Sequence, residues 1–293
     1  MRLLFFFVFF LTFFPVIAQQ RVDYVGLLAL QDSTFISYKL ELVETDGILK
    51  GFSYTDLNGP HESKNTLVGR YNSKDNKIEF REVDIVYTKS PIKELDFCFV
   101  YFTGSLRNLR GKATLEGNFK SYYDDLQPCI DGKLIMQGEE KFTRKTEKIT
   151  SRVEKMDKIP DSVKQRIANS KFLNSSERQG LKGGETLNVF WESKTAYLEI
   201  WDPGKVDGDA MSIVLNGKVV KENYAPLKAK TKIPLTFNKE INTLVLKALS
   251  EGTDPPNTAQ IRITDGNGKE ISMLSSFKVG EQVKVVFYQK DLK

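Results

Sequence analysis

The residues of this chain that could do chemistry fall into three groups. The first is the run Trp201-Asp202-Pro203-Gly204-Lys205-Val206-Asp207-Gly208-Asp209. Its three carboxylates share one short Gly/Pro turn. Calcium takes about six to eight oxygen ligands, drawn from carboxylates and loop carbonyls. Asp202, Asp207 and Asp209 are therefore candidate calcium ligands. Asp and Gly are also ordinary turn residues, and Lys205 offers a rival counter-charge, so a plain turn is the competing reading. The second group is Cys98 and Cys129, the two cysteines of the chain. The third is a set of carboxylates, Glu79, Glu82, Asp124 and Asp125, which could pair in space as a glycoside hydrolase requires.

Other chemistries lack their parts. One histidine, His61, rules out a multi-histidine zinc site in a single chain. A Ser-His-Asp triad would have to use that residue, which lies in the turn-rich run Asn58-Gly59-Pro60-His61. The sequence contains no Gly-x-Ser-x-Gly elbow, no phosphate loop and no dinucleotide fingerprint.

The elements that must position these residues begin with a leader. Met1 and Arg2 precede an uncharged apolar run from Leu3 to Phe14, and Pro15, Val16, Ile17 and Ala18 lead into Gln19-Gln20. That order reads as a secretory signal peptide over residues 1–18, cleaved after Ala18. The run is shorter than the roughly 20 residues a membrane span needs. The protein is thus expected outside the cytoplasm, secreted or held in the periplasm or at the cell surface. There an even cysteine pair becomes a bridge, so a Cys98–Cys129 disulfide is expected.

The formal net charge of +5 has a local origin. Between Glu139 and Lys182 there are 12 Lys/Arg against 7 Asp/Glu, which leaves the rest of the exported chain close to neutral. A solvated connector explains this better than a nucleic-acid-binding face.

The pattern predicts an all-β protein. In 19–138, Ile36, Tyr38, Leu40 and Leu42 alternate with Ser37, Lys39 and Glu41, and Asp46-Gly47 is a hairpin turn. The run Phe97–Phe102 is apolar on both faces, which suggests a central strand, and Cys129 precedes a turn-like Ile130-Asp131-Gly132. Glycines recur just before aromatics (Gly51-Phe52, Gly69-Arg70-Tyr71, Gly117-Asn118-Phe119), as bends or bulges would require. An antiparallel meander curled into a barrel-like domain fits, and such a barrel could enclose a small apolar ligand. In 139–183, Ile149, Val153 and Met156 fall on one helical face among charges, a short helical or flexible linker. In 184–293, Asn216-Gly217 and Asp265-Gly266-Asn267-Gly268 mark hairpins among many short strands, and Pro234 marks an edge strand. That region reads as a β-sandwich.

Residues Asp207-Gly208-Asp209 through Asn216-Gly217 resemble the Asp-Gly-Asp, strand, Asn-Gly pattern of calcium-dependent carbohydrate-binding sandwich modules of secreted bacterial enzymes. The resemblance implies calcium at Asp207 and Asp209 and a glycan as partner. The stretch Glu251–Ala259 resembles segments of exported bacterial proteins. The expectation is an exported, non-catalytic binding or structural protein of the envelope or exterior. The alternatives are a calcium-dependent carbohydrate-binding module and a carboxylate-based hydrolase.

Overall fold

The structure, a computed structural model, describes residues 20–32, 34–91, 97–109, 112–138 and 180–290. The first eight strands are β1 (Gln20–Leu30), β2 (Phe35–Thr45), β3 (Ile48–Thr55), β4 (Ser63–Asn72), β5 (Lys77–Thr88), β6 (Phe99–Leu109), β7 (Lys112–Tyr122) and β8 (Pro128–Gly138). Each pairs antiparallel with the next, and β8 pairs back onto β1, so they close an eight-stranded barrel. Closure satisfies the backbone groups that an open sheet edge would leave unpaired.

Period-two alternation puts one side of every strand inside. Tyr38, Leu40, Leu67, Leu115 and Leu134 fill the lumen with Phe102 and Phe119. Asp46 and Gly47 adopt φ of 52° and 79°, the left-handed pair that a two-residue hairpin needs between β2 and β3. The recurrent glycines do a different job from the bends expected of them. Gly104 and Gly117 face each other across β6 and β7, and the Phe102 ring lies over both. A Cβ at either would come within 3.0 Å of that ring. The register breaks of the barrel sit elsewhere, in β5 opposite Lys64–Leu67 and between β7 and β8 at Lys120–Tyr122.

Ten further strands follow among the described residues: β9 (Gly180–Lys182), β10 (Thr186–Trp191), β11 (Thr195–Trp201), β12 (Asp209–Leu215), β13 (Lys218–Tyr224), β14 (Thr231–Thr236), β15 (Ile241–Glu251), β16 (Asn257–Thr264), β17 (Glu270–Phe277) and β18 (Gln282–Gln289). One sheet runs β13-β12-β15-β18-β10 and continues onto β5 of the barrel, and a second runs β14-β11-β16-β17-β9. Trp191, Ile213 and Phe287 of the first share one buried cluster with Leu198, Ile261 and Phe277 of the second. Pro234 does lie in an edge strand, β14. Asn216 and Gly217 form the expected hairpin turn with φ of 52° and 81°.

Strand β5 belongs to both regions. Residues Lys77–Arg81 pair with β6, whereas Tyr87 and Thr88 pair with Val189 and Asn188 of β10. Two bulges between these halves rotate the strand, so Phe80 points into the barrel while Val86 and Tyr87 enter the C-terminal core. Buried Lys89 continues the junction, donating to the Gly180 carbonyl at 2.8 Å and pairing with Glu185 at 3.1 Å.

Four sequence expectations change or fall outside this picture. The described residues contain no helix, and Gly180–Lys182, placed in the linker, form β9 against β17; residues 139–179 of the expected linker lie outside the described residues. Ile130–Gly132 are not a turn but part of β8, because Gly132 packs beneath the Phe119 ring. In a closed barrel no strand is central, and Phe97 and Cys98 precede β6. The leader, residues 1–18, also lies outside the described residues, among which no helix is long and apolar enough to cross a membrane.

Cys98 and Cys129 form a disulfide with Cα atoms 6.1 Å apart. It ties the chain just ahead of β6 to the start of β8, across the end of β7. The bond closes a loop with a sequence separation of 31. In the chain-entropy account a loop of that size contributes about 3–4 kcal/mol. We expect thiol titration of the denatured, unreduced protein to find no free thiol, and the double variant Cys98→Ala/Cys129→Ala to lose stability of that order in urea unfolding.

Candidate functional site at the barrel mouth

One end of the barrel is open. The end of β1, the start of β2, the start of β4 and the ends that β6, β7 and β8 share with the disulfide surround a cavity of about 280 Å³. Its wall is apolar: Leu28, Ile36, Phe99, Phe119 and Ile130 line it with Cys98. Its floor is polar: Glu82, Asn65 and Ser121. Two of these come from the lumen series of their strands, one step beyond Leu67 on β4 and beyond Phe119 on β7. Glu82 follows Phe80 on β5 in the same way.

Glu82 is the hub of the floor. Tyr38 donates its hydroxyl to Oε1 at 2.8 Å, and Ser53 donates to the same oxygen. The Val100 backbone N–H donates to Oε2 at 2.8 Å, and the Asn65 amide also bonds the carboxylate. The Val100 bond explains why a carboxylate is here. Beyond Arg81, β5 turns away from β6, and Val100 lies in the stretch of β6 that β5 no longer reaches. The side chain of Glu82 takes the place of the missing backbone acceptor. Burial pushes the Glu82 carboxyl above the usual range, and the hydrogen bonds from Ser53, Val100, Tyr38 and Asn65 oppose that push. Burial, reinforced by Glu82, also holds the Tyr38 phenol well above its ordinary value.

Asn65 differs from its neighbours. It is 6% exposed, yet its Oδ1 accepts no hydrogen bond from the described residues. A buried acceptor left unpaired costs about 1–3 kcal/mol. Asn65 is among the residues that line the cavity.

Of the residues singled out from sequence, Cys98 lies in the mouth wall and Cys129 is bonded to it. The carboxylates Glu79, Glu82, Asp124 and Asp125 are not gathered. Glu82 faces the lumen, Glu79 lies on the outer wall, and Asp124 and Asp125 are exposed in the turn between β7 and β8. His61 is exposed, its ring beside the Ser90 hydroxyl at 3.1 Å.

Asp202, Asp207 and Asp209 lie within electrostatic reach of one another, but among the described residues no three His, Cys, Asp or Glu side chains are gathered closely enough to hold a metal ion. Asp207 and Asp202 both raise the Asp209 carboxyl electrostatically, after burial, which is the larger cause. Each is also bound to backbone. Asp202 accepts from Gly204 N–H at 2.6 Å, Asp207 from Asp254 N–H at 2.8 Å and Asp209 from Thr258 N–H at 2.9 Å. Of the aromatics of the C-terminal region, Trp191 is wholly buried, Trp201 lies under Lys230, and Tyr197 is 45% exposed.

The sequence reading missed Asn65 and Ser121, and took Tyr38 only as a member of a buried strand face. The signal was present: each is a polar group on an otherwise apolar period-two face. Compared with protein families, with characterised proteins and with solved structures, the chain matches none.

Glu82 sets a pH dependence. A carboxyl raised in the folded state contributes stability that is fully present below its unfolded value, about 4.3, and is lost as pH rises through the folded value. We expect wild type to lose stability over that window relative to Glu82→Gln, measured by urea unfolding across pH 4 to 7. Glu82→Ala leaves several buried donors unpaired and should cost about 3 kcal/mol or more at neutral pH.

Proposed function

We propose that the protein is an exported binding protein whose barrel mouth holds a small, mostly apolar ligand ending in a hydrogen-bond donor. The observation that carries this reading is the buried, unpaired Oδ1 of Asn65, a residue that lines a mostly apolar cavity. Ligand sites of this kind combine apolar walls with few, placed polar groups. At about 280 Å³ the cavity suits a molecule smaller than a typical drug-sized ligand. Catalysis is not required: the Glu82 carboxylate is occupied by four protein donors and has no second carboxylate beside it in the cavity lining. The leader-like first residues and the disulfide support export.

N-phenyl-1-naphthylamine, apolar with one N–H, is a suitable probe. We expect a saturable fluorescence rise with one site per chain. Asn65→Ala should weaken it about tenfold, the effect of one hydrogen bond in an apolar site. Ile36→Trp, which fills the mouth, should abolish it. No saturable signal, or one indifferent to Ile36→Trp, overturns the reading.

A second reading concerns the acidic turn, and a specific observation favours it. Asp209 Oδ1 and Asn257 Oδ1 are both buried and accept no hydrogen bond from the described residues. Asn257 is 0% exposed, and its amide reaches the carbonyl of Ala210, the neighbour of Asp209. Lys205, the rival counter-charge, is exposed and makes no ion pair among the described residues. An all-oxygen donor set with surplus negative charge suits calcium. In this reading Asp209 and Asn257 supply the inner oxygens, with Asp202 and Asp207 beside them. The likeness to calcium-dependent carbohydrate-binding modules, and a sandwich built from the two C-terminal sheets, belong to the same reading. We expect calcium at 100 times its dissociation constant to stabilise the whole chain by about 2.7 kcal/mol over chelator, and Asp209→Asn and Asn257→Leu each to remove the shift.

A further inference from the structure

A second recess, wider than the mouth, runs across the outer wall of the barrel. It holds about 660 Å³ and is lined by residues of β4, β5, β6 and β7. Register places its side chains in two rows. One is Val68–Arg81–Tyr101–Lys120, and the next is Arg70–Glu79–Thr103–Asn118. Between them Gly69, Phe80, Phe102 and Phe119 form the row that serves the lumen. Side chains alternate across a strand, so both outer rows project into the recess together.

The recess is cationic. Glu79 is its acidic residue, and that carboxylate pairs with Lys77 at 2.7 Å. Arg70, Arg81 and Lys120 make no ion pair among the described residues. The exported chain outside residues 139–182 is close to neutral, so this cluster stands out from its background. The cations are also spread. Strands lie about 4.8 Å apart, which puts Arg81 on β5 and Lys120 on β7 about 10 Å apart along the row. Spread cations suit an anion repeated along a chain better than one compact group. Tyr101 and Tyr122, edge to face with centroids 5.1 Å apart, supply an apolar and hydroxyl-bearing wall. Thr103 and Asn118 add small polar groups on the opposite side.

We propose that this outer groove binds a short acidic oligosaccharide, a sugar chain carrying carboxylate or sulfate groups. Guanidinium forks hold such oxyanions in two-point hydrogen bonds, and tyrosine presents both ring and hydroxyl to a pyranose. Single-stranded nucleic acid, the rival polyanion, is held by bases stacked on free ring faces. The mutual edge-to-face packing of Tyr101 and Tyr122 does not offer two parallel faces. The groove is separate from the barrel mouth, and the inference does not depend on the ligand proposed there.

The test is calorimetric titration of the whole exported chain with a sulfated heparin tetrasaccharide, an oligogalacturonate tetramer, neutral maltotetraose and an oligothymidylate, at low and at physiological ionic strength. One or both acidic sugars should bind, more weakly as salt rises, and maltotetraose should not. Arg81→Gln combined with Lys120→Gln should weaken binding at least about tenfold, the loss of one or two charge-assisted contacts. Both positions are exposed, so the fold persists, and Asn65→Ala should leave this binding unchanged. The inference is overturned if neither acidic sugar binds. It is also overturned if binding survives the double substitution, which moves the site to the basic segment 139–182, or if the oligothymidylate binds more tightly than both sugars.

Discussion

The molecule depends on one strand serving two sheets. β5 closes the barrel with its first half and starts a C-terminal sheet with its last two paired residues. A strand cannot do both in one straight run, because the two partners lie in different directions. The two bulges opposite Lys64–Leu67 absorb the change, and the parting of β5 from β6 after Arg81 is its cost. Glu82 answers that cost locally. A carboxylate with two oxygens can accept from Val100 and still gather Tyr38 and Ser53. The cavity, its polar floor and the buried acid all follow from this single departure.

Much of the architecture was legible from residues alone. The alternation through Ile36–Leu42 and the Asp46-Gly47 and Asn216-Gly217 turns are short-range signals, and each sits where its chemistry placed it. Pro234 could only be tolerated at an edge. The cysteine pair was readable because two is an even count and the leader-like start leads one to expect an oxidising compartment. What stayed hidden is non-local. Nothing near Tyr87 announces that it will pair with Val189, because pairing across so long a separation leaves no local periodicity. The glycines misled for a related reason. Gly117 reads as a bend in one dimension, but the ring that needs its space is Phe102, which lies on the neighbouring strand.

The candidate sites divide along the same line. The acidic turn could be named because its residues are consecutive, yet its most telling oxygen, that of Asn257, lies nearly fifty positions away and carries no charge to draw notice. The barrel floor could not be assembled from sequence because Asn65, Glu82 and Ser121 come from three strands, and Glu82 stood out only as one carboxylate among four. The outer groove is invisible for another reason. Arginine, lysine and tyrosine on a solvent-facing strand position are ordinary in sequence. Only the cross-strand register, which sets Arg81 beside Tyr101 and Tyr101 beside Lys120, makes them a surface.

The shared strand also dictates an order of assembly. The barrel strands meet their neighbours in chain order, and once β8 has been made the barrel can close on itself. The tip of β5, held by β4 through Lys64–Tyr87 and Ser63–Thr88, then still waits for its second neighbour, because the residue that reaches Ser90, Asn188, lies 98 positions further on. Until β10 is delivered, the side of Tyr87 and Thr88 turned away from β4 is a short sheet edge next to a buried-type aromatic, a place where a second nascent chain could pair instead. Chain growth therefore leaves a time window in which crowding between half-made copies is most dangerous. The length of that window is set by the synthesis and delivery of residues 91–188.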